Sequence, residues 1–232
     1  MSEFVEFTKG SLNPKHLWDT IVYKIRFIQD NPYYFNPAGI WVFCGPQGSG
    51  KTLSMVQVLK KMLKQYPKAK VCSNLDIRGL DTEIIPFTHY EQLLTLSNGT
   101  EGLIFVIDEL HVLWNSLESK DIPISEMATF CQMRKDRRVI LGTAQVYSRI
   151  AKPIREQLQY VVQCRNFAGV LQVNELLDPA YCEEQDGHLA AKAIGTSIWF
   201  HRPDLYKSYD TLFKIEKAKR LDPPKQTGGK RK

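Results

Sequence analysis

A phosphate-binding loop is the chemistry that residues 45–52 predict. The segment follows an apolar run and matches the pattern G-x-x-x-x-G-K-[ST]. Its glycines can turn successive backbone N–H groups inward around an anion, and a helix that starts at the end of the loop adds a positive dipole terminus. The sequence therefore predicts that a nucleotide binds through Gly45, Pro46, Gln47, Gly48, Ser49, Gly50, Lys51 and Thr52.

The last two residues of this loop have separate predicted roles. Lys51 is expected to reach the β- and γ-phosphate oxygens of the nucleotide, and the Thr52 hydroxyl is expected to bind Mg²⁺. ATP and Mg²⁺ are therefore the predicted cofactors.

Two adjacent acids, Asp108 and Glu109, follow a second apolar run at residues 103–107. The run predicts a buried strand, whose carboxyl end in a parallel sheet adjoins the phosphate loop. Asp108 is expected to hold Mg²⁺ through water, and Glu109 to orient the attacking water or accept its proton. The second acid favours a hydrolase over a kinase. His111 and Trp114, just beyond, either line the site or pack in the core, and packing is favoured.

Residues 139–145 predict another buried strand that ends in polar side chains. Strand order predicts that it lies beside the strand at residues 103–107. Thr143 or Gln145 could then reach the γ-phosphate or the attacking water, unless they form an ordinary polar strand end. Gln145 is the preferred sensor of the γ-phosphate.

Several arginines near this strand are candidates for a guanidinium that stabilises the charge of phosphoryl transfer, often from a neighbouring subunit. Arg137 and Arg138 rank first. Any one of these arginines could instead form a surface ion pair or contact DNA. The other candidates are Arg134, Arg149 and Arg155.

The elements that position these residues alternate between strands and helices. This alternation predicts an α/β fold of the P-loop NTPase type, with a mainly parallel central sheet flanked by helices. Additional antiparallel strands are expected near the C-terminus, the first two joined by a hairpin turn at residues 166–169. Strands are predicted at residues 40–44, 70–74, 84–87, 103–107, 139–145, 159–165, 170–176 and 196–201, and helices at residues 17–28, at 51–65, from Ser125 onward and at 150–155.

Three regions are predicted along the chain. Residues 1–39 form an N-terminal helical extension, and residues 40–213 form the P-loop ATPase domain. Residues 214–232 form a charged tail that is rich in proline and glycine towards its end and is expected to be disordered.

The composition is that of a soluble protein, and the host cytoplasm is the expected location. Hydrophobic residues make up 43% and charged residues 24% of the chain. The sequence predicts neither an integral membrane span nor a secretory signal. The five cysteines form no C-x-x-C pair and are expected to be reduced. A net charge of +6 permits attraction to nucleic acid or an acidic membrane, although part of it lies in the tail, where solvation is the simpler explanation.

Residues 40–211 resemble the zonula-occludens-toxin-like ATPases, which lie near the FtsK/HerA-type translocases and the genome-packaging ATPases of membrane-containing icosahedral viruses. The P-loop and the acid pair are typical of NTPases in general, and the later motifs narrow the group. The motifs are residues 45–52, Ser73-Asn74-Leu75, Asp108-Glu109 before an aromatic helix, Arg137-Arg138 before Thr143-Ala144-Gln145, Ile154-Arg155, and Tyr206-Lys207-Ser208-Tyr209-Asp210-Thr211.

This resemblance implies an ATP-hydrolysing motor that acts as a homo-oligomeric ring, with hydrolysis at subunit interfaces. The leading expectation is that it packages or translocates double-stranded DNA into a viral capsid. Capsid or membrane proteins are further expected partners, and the virion or the inner face of a membrane are further expected locations.

The alternative is a phage assembly or secretion ATPase that drives virion extrusion at a membrane through protein partners. Filamentous-phage assembly ATPases carry a membrane span after the ATPase domain, and its absence from this sequence favours packaging. A truncated or split member would keep the assembly hypothesis open. A nucleotide-regulated binding protein without turnover is disfavoured because Glu109 is present.

Overall fold

A computed structural model describes residues 13–117, 130–185 and 188–209. The chain divides into two compact units, the first ending at Tyr34 and the second beginning at Phe35. The predicted domain boundaries at residues 39/40 and 213/214 stay predictions, and the predicted tail lies outside the described residues.

The first unit contains helix α1, Pro14–Asp30, at the position that the sequence predicts. Its start follows from local chemistry. The Asn13 carboxamide oxygen accepts the backbone N–H of Lys15 at 2.9 Å, and a proline occupies the first helical position, where no N–H is needed.

The second unit is built on strands that match the predicted ones within a few residues, together with two short strands that the sequence did not predict, β8 and β9. The strands are β1 Gly39–Cys44, β2 Lys70–Ser73, β3 Ile84–Pro86, β4 Leu103–Ile107, β5 Arg138–Ala144, β6 Leu158–Phe167, β7 Leu171–Leu177, β8 Glu183–Gln185, β9 His188–Ala190 and β10 Ala193–Phe200.

Eight of these strands form one sheet in the order β10-β7-β6-β1-β5-β4-β2-β3, and β8 and β9 form a separate hairpin. Strands β1 to β6 pair in parallel, whereas β7 is antiparallel to both β6 and β10. The predicted α/β fold, with a mainly parallel sheet and antiparallel strands near the C-terminus, is confirmed. The expected adjacency of β4 and β5 is also confirmed.

Helices of the second unit follow or connect these strands. The predicted helix from Ser125 onward begins in residues outside the described ranges. Among the described residues, no helix combines the length and apolar character needed to cross a bilayer. The helices are α2 Lys51–Gln65, α3 Gln92–Thr95, α4 Leu110–Leu113, α5 Lys152–Arg155 and α6 Pro203–Tyr206, with 3-10 turns at Gly99–Glu101, Tyr147–Arg149 and Pro179–Tyr181.

The core consists of two buried clusters that share the strands of the central sheet. Successive residues of β1 belong to different clusters, Val42 to one and Phe43 to the other, because side chains alternate across a strand. All residues of β4 are buried, as expected for a strand in the middle of a covered sheet. The parallel strands therefore deliver their carboxyl ends to one common edge, where polar side chains can meet.

Candidate active site

The loop between β1 and α2 has a backbone that requires glycine. Gly48 and Gly50 both have φ of +79°. A Cβ atom on Gly50 would lie 2.1 Å from the Gln172 carboxamide oxygen, so a side chain at this position would displace its neighbour. The left-handed Gly50 is also the N-cap of α2, which places the start of that helix directly after the loop.

A cavity of about 370 Å³ lies against this loop at the carboxyl edge of the sheet. It contains most of the predicted site residues, which come from distant parts of the chain. The residues that line it are Gln47, Gly48, Gly50, Lys51, Thr52, Leu53, Asp108, Glu109, Thr143, Gln145, Asn166, His201, Tyr206 and Tyr209.

Lys51 brings a positive charge to this cavity. Its Nζ donates a hydrogen bond to the Pro46 carbonyl oxygen at 2.9 Å. Burial lowers the pKa of Lys51, because the ammonium loses solvation, while the nearby Asp108 and Glu109 act in the opposite direction. A bound polyphosphate would give this ammonium the anionic partner that favours its charged form.

Asp108 is held by hydrogen bonds to both its side chain and its backbone. Its Oδ1 accepts the hydroxyls of Thr143 at 2.6 Å and Thr52 at 3.2 Å. Asn74, after β2, accepts the backbone N–H of Asp108 at 2.8 Å and donates to its carbonyl oxygen at 3.1 Å. Burial raises the pKa of Asp108, and the two threonine hydrogen bonds oppose that shift.

The facing oxygens of Thr52 and Asp108 fit the predicted Mg²⁺. This ion prefers oxygen ligands and is commonly bound by one or two protein groups together with waters and substrate phosphates. Across the described residues, no cluster of three or more histidine, cysteine, aspartate or glutamate side chains suits another metal.

Glu109 has a left-handed backbone, with φ of 59° and ψ of 58°. This conformation costs a non-glycine residue about 1 kcal/mol, and such strain is found preferentially at functional sites. The Glu109 N–H donates to the Thr143 hydroxyl at 2.9 Å, and Gln145 Nε2 donates to Glu109 Oε1 at 3.2 Å. Thr143 therefore contacts both acids, and Gln145 lies beside the predicted base. The catalytic roles of Glu109 and Gln145 stay predictions.

The structure does not bring Arg137 and Arg138 to the cavity. Arg138 begins β5 at its amino end, whereas the cavity lies at the carboxyl end, about 20 Å away along a strand of seven residues. Arg138 is 6% exposed and donates to the carbonyl oxygens of Leu93 at 2.9 Å and Leu94 at 3.3 Å. Its guanidinium stabilises the fold, and both placements argue against the predicted catalytic role.

Trp114 packs in the core, as the sequence analysis favours. It is 1% exposed, and its indole N–H donates to the Tyr90 hydroxyl at 3.2 Å.

Sequence analysis missed Asn166 and His201, which come from the end of β6 and from just after β10. Their side chains reach the cavity through the antiparallel part of the sheet, and no local pattern in the sequence shows this. Tyr206 and Tyr209 were noted only as part of the family resemblance. Burial raises the pKa of Tyr209 to about 12, and its backbone forms an antiparallel bridge to Ile77.

Comparison with protein families decides the relationship of this chain. The model of the zonular occludens toxin (Zot) family matches residues 39–213. The chain belongs to the Zot family. The resemblance predicted over residues 40–211 is thereby confirmed. No curated protein sequence matches this Zot-family chain.

Solved structures similar to the Zot-family chain are distant in sequence. The N-terminal domain of zonular occludens toxin from Neisseria meningitidis has a TM-score of 0.51 and 17% identity, covering 75% of this chain and 99% of that one. The ATPase domain of another protein has a TM-score of 0.50 and 9% identity, covering 86% and 99%. The genome packaging NTPase B204 of Sulfolobus turreted icosahedral virus 2, in complex with ATP-gammaS, has a TM-score of 0.47 and 11% identity, covering 68% and 99%.

The first two of these likenesses show a shared fold. Together with the Zot family match and the P-loop, they support the predicted ATPase.

Proposed function

We propose that this Zot-family protein hydrolyses ATP with the help of Mg²⁺. One observation carries the proposal: the Thr52 hydroxyl and the Asp108 carboxylate lie 3.2 Å apart, in the same cavity as Lys51 and Glu109. A cation, two metal-binding oxygens and a candidate base are the groups that hydrolysis of a nucleoside triphosphate requires.

Each of these groups has one task in the proposed reaction. Lys51 and the backbone N–H groups of the glycine loop bind the phosphates, and Thr52 and Asp108 hold Mg²⁺, which neutralises charge that develops on the β- and γ-oxygens. Glu109 orients the attacking water and accepts its proton.

Two neighbouring polar residues support Glu109. Gln145 holds its carboxylate through the 3.2 Å hydrogen bond and senses the γ-phosphate. Thr143 is a positioning residue, because its hydroxyl bonds both to the Asp108 carboxylate and to the Glu109 backbone.

The proposal extends to an oligomer whose sites are completed by a neighbouring subunit. Among the described residues that line the cavity, Lys51 is the one with a permanent positive charge, and none is an arginine. Arg149 is exposed on the turn Tyr147–Arg149, which follows β5 at the same edge of the sheet. We propose that Arg149 of one subunit stabilises the transition-state charge in the site of the next.

Mixing Arg149→Ala subunits with Lys51→Ala subunits is expected to restore turnover that neither variant has alone. A mixed interface can combine an intact Lys51 with an intact Arg149, and random assembly at equal amounts gives this combination at about a quarter of interfaces. Turnover per subunit, measured across mixing ratios, should be highest near equal amounts.

Arg137→Ala is the matched control for this experiment, and it should remain active alone because Arg137 lies at the far edge of the sheet. If no mixing ratio rescues turnover, the arginine acts within its own subunit or is a different residue.

We propose double-stranded DNA as the cargo of the motor. The support is the net charge of +6, the exposed Arg149 and the translocases that the family resemblance implies. Packaging into a viral capsid, in the host cytoplasm or on the virion, is the corresponding role.

Duplex DNA is expected to stimulate ATP turnover several-fold at low salt. Phosphate contacts by basic residues release counterions on binding, so the stimulation should weaken steeply as salt is raised. Turnover and DNA binding, measured together over a salt series, test this. Turnover that ignores DNA, with no salt-sensitive binding, would contradict the cargo while leaving the ATPase intact.

Virion extrusion at a membrane is the second candidate, and the match to the Zot family favours it. In that case protein partners replace DNA as the driven substrate. Membrane fractionation of infected or expressing cells, with and without nuclease, separates the two. Stable co-fractionation with membranes in the absence of DNA supports extrusion.

A further inference from the structure

A buried carboxamide links the phosphate-binding loop to the antiparallel part of the sheet. Gln172, on β7, is 0% exposed. Its Nε2 donates to the Ser49 carbonyl oxygen at 3.0 Å and to Asn174 Oδ1 at 2.9 Å. Both amide hydrogens are therefore used, and the carboxamide oxygen remains as an acceptor.

That acceptor determines which nitrogen of His201 carries a hydrogen. His201 Nε2 lies 3.1 Å from Gln172 Oε1. Because Gln172 can only accept at this atom, the histidine must donate from Nε2. The other ring nitrogen, Nδ1, is bonded to the Tyr206 hydroxyl.

With a neutral His201, this chain of hydrogen bonds is one hydrogen short. The Tyr206 hydroxyl also lies 3.0 Å from the Gly169 carbonyl oxygen. Its single hydrogen would have to serve both Nδ1 and that carbonyl. A second proton on His201 removes the conflict, because Nδ1–H then donates to the phenol oxygen and the phenol donates to Gly169.

The surroundings of His201 can hold the resulting cation. Its ring centroid lies 5.3 Å from that of Trp199, within the range of a cation–π contact. Arg202 and Asp204, next along the chain, pair with each other at 3.1 Å. The other titratable groups that face this position are Tyr206 and Lys51, and Lys51, which lines the same cavity, opposes protonation until an anion is bound.

We propose that His201 binds the nucleotide as an imidazolium, a second cation beside Lys51, and that Gln172 positions it against the phosphate-binding loop. This proposal rests on the proposed nucleotide binding. Histidine readily gains a proton near neutral pH, and phosphate oxygens beside it favour the charged form. Binding of MgATP therefore takes up a proton, and affinity falls as pH rises.

Calorimetric titration of the full chain with MgATP, in buffers of different ionisation enthalpy, measures this proton directly. Near pH 7.5, the wild-type protein is expected to take up about half a proton or more per nucleotide. His201→Gln should take up none beyond the contribution of the nucleotide itself, and it should bind MgATP about tenfold more weakly, because a charge-assisted hydrogen bond is lost.

The exposed His89, which bonds to Thr88 away from the cavity, provides the matched control. His89→Gln should keep the proton uptake of the wild type. Gln172→Met, which removes the acceptor for Nε2–H, should reduce the uptake as well as the affinity, a result that looser packing alone would not produce.

Zero proton uptake by the wild-type protein would overturn the inference whether or not the variants fold. Equal uptake by wild type and His201→Gln would also overturn it. Both outcomes differ from a complete lack of MgATP binding, which would contradict the proposed function instead.

Discussion

Replacing Glu109 with glutamine is expected to leave MgATP binding close to wild type and to lower turnover by about three orders of magnitude. An amide cannot accept the proton of the attacking water. The substitution keeps the size of the side chain and leaves the backbone hydrogen bond from Glu109 to Thr143 in place. Equilibrium binding and steady-state turnover, measured on the same preparation, separate the two effects.

Glu101→Gln is the matched control for this substitution. Glu101 pairs with Lys68 at 3.2 Å on the surface and does not line the cavity, so its loss should change turnover less than twofold. Equal turnover in Glu109→Gln and wild type would remove Glu109 from its assigned role as the base.

Replacing Lys51 with alanine is expected to weaken MgATP binding by about a hundredfold and to reduce turnover to background. The lysine is the permanent cation of the described cavity. Because burial lowers the pKa of Lys51, keeping its ammonium charged has a cost for the folded protein that only an anionic ligand offsets. Without nucleotide, the variant should therefore melt at the same temperature as wild type or higher.

Thermal unfolding with and without MgATP checks this prediction. A ligand that binds the folded state raises the melting temperature, and Lys51→Ala should lose that rise. Lys60→Ala, on the same helix but outside the cavity, should keep it. A full MgATP-dependent rise in Lys51→Ala would show that Lys51 does not bind the phosphates.

The two acids on β4 depend on neighbouring strands for their orientation. Asn74, after β2, holds the backbone of Asp108, and Thr143, on β5, contacts both Asp108 and Glu109. Residues from three strands therefore set the geometry on which Mg²⁺ binding and water activation depend.

Much of the site could be predicted from the sequence, because its main motifs are local. The glycine loop needs a particular backbone within a few residues, and the pattern of residues 45–52 shows it. The acids Asp108 and Glu109 directly follow a continuous apolar run, so the sequence predicts both a buried strand and its polar end. The alternation of such runs with helical segments predicts the α/β fold.

The sequence by itself thus determined the P-loop, the acid pair and the order of the elements that carry them. Only the tertiary structure decided that Arg138 lies at the far edge of the sheet, and that Gln172 and His201 reach the phosphate-binding loop. The physical reason is that these placements depend on strand pairing and register between residues more than a hundred positions apart, such as the 3.0 Å contact of Gln172 with Ser49. Local periodicity predicts that a strand forms, but the packing of the whole sheet determines what its side chains meet.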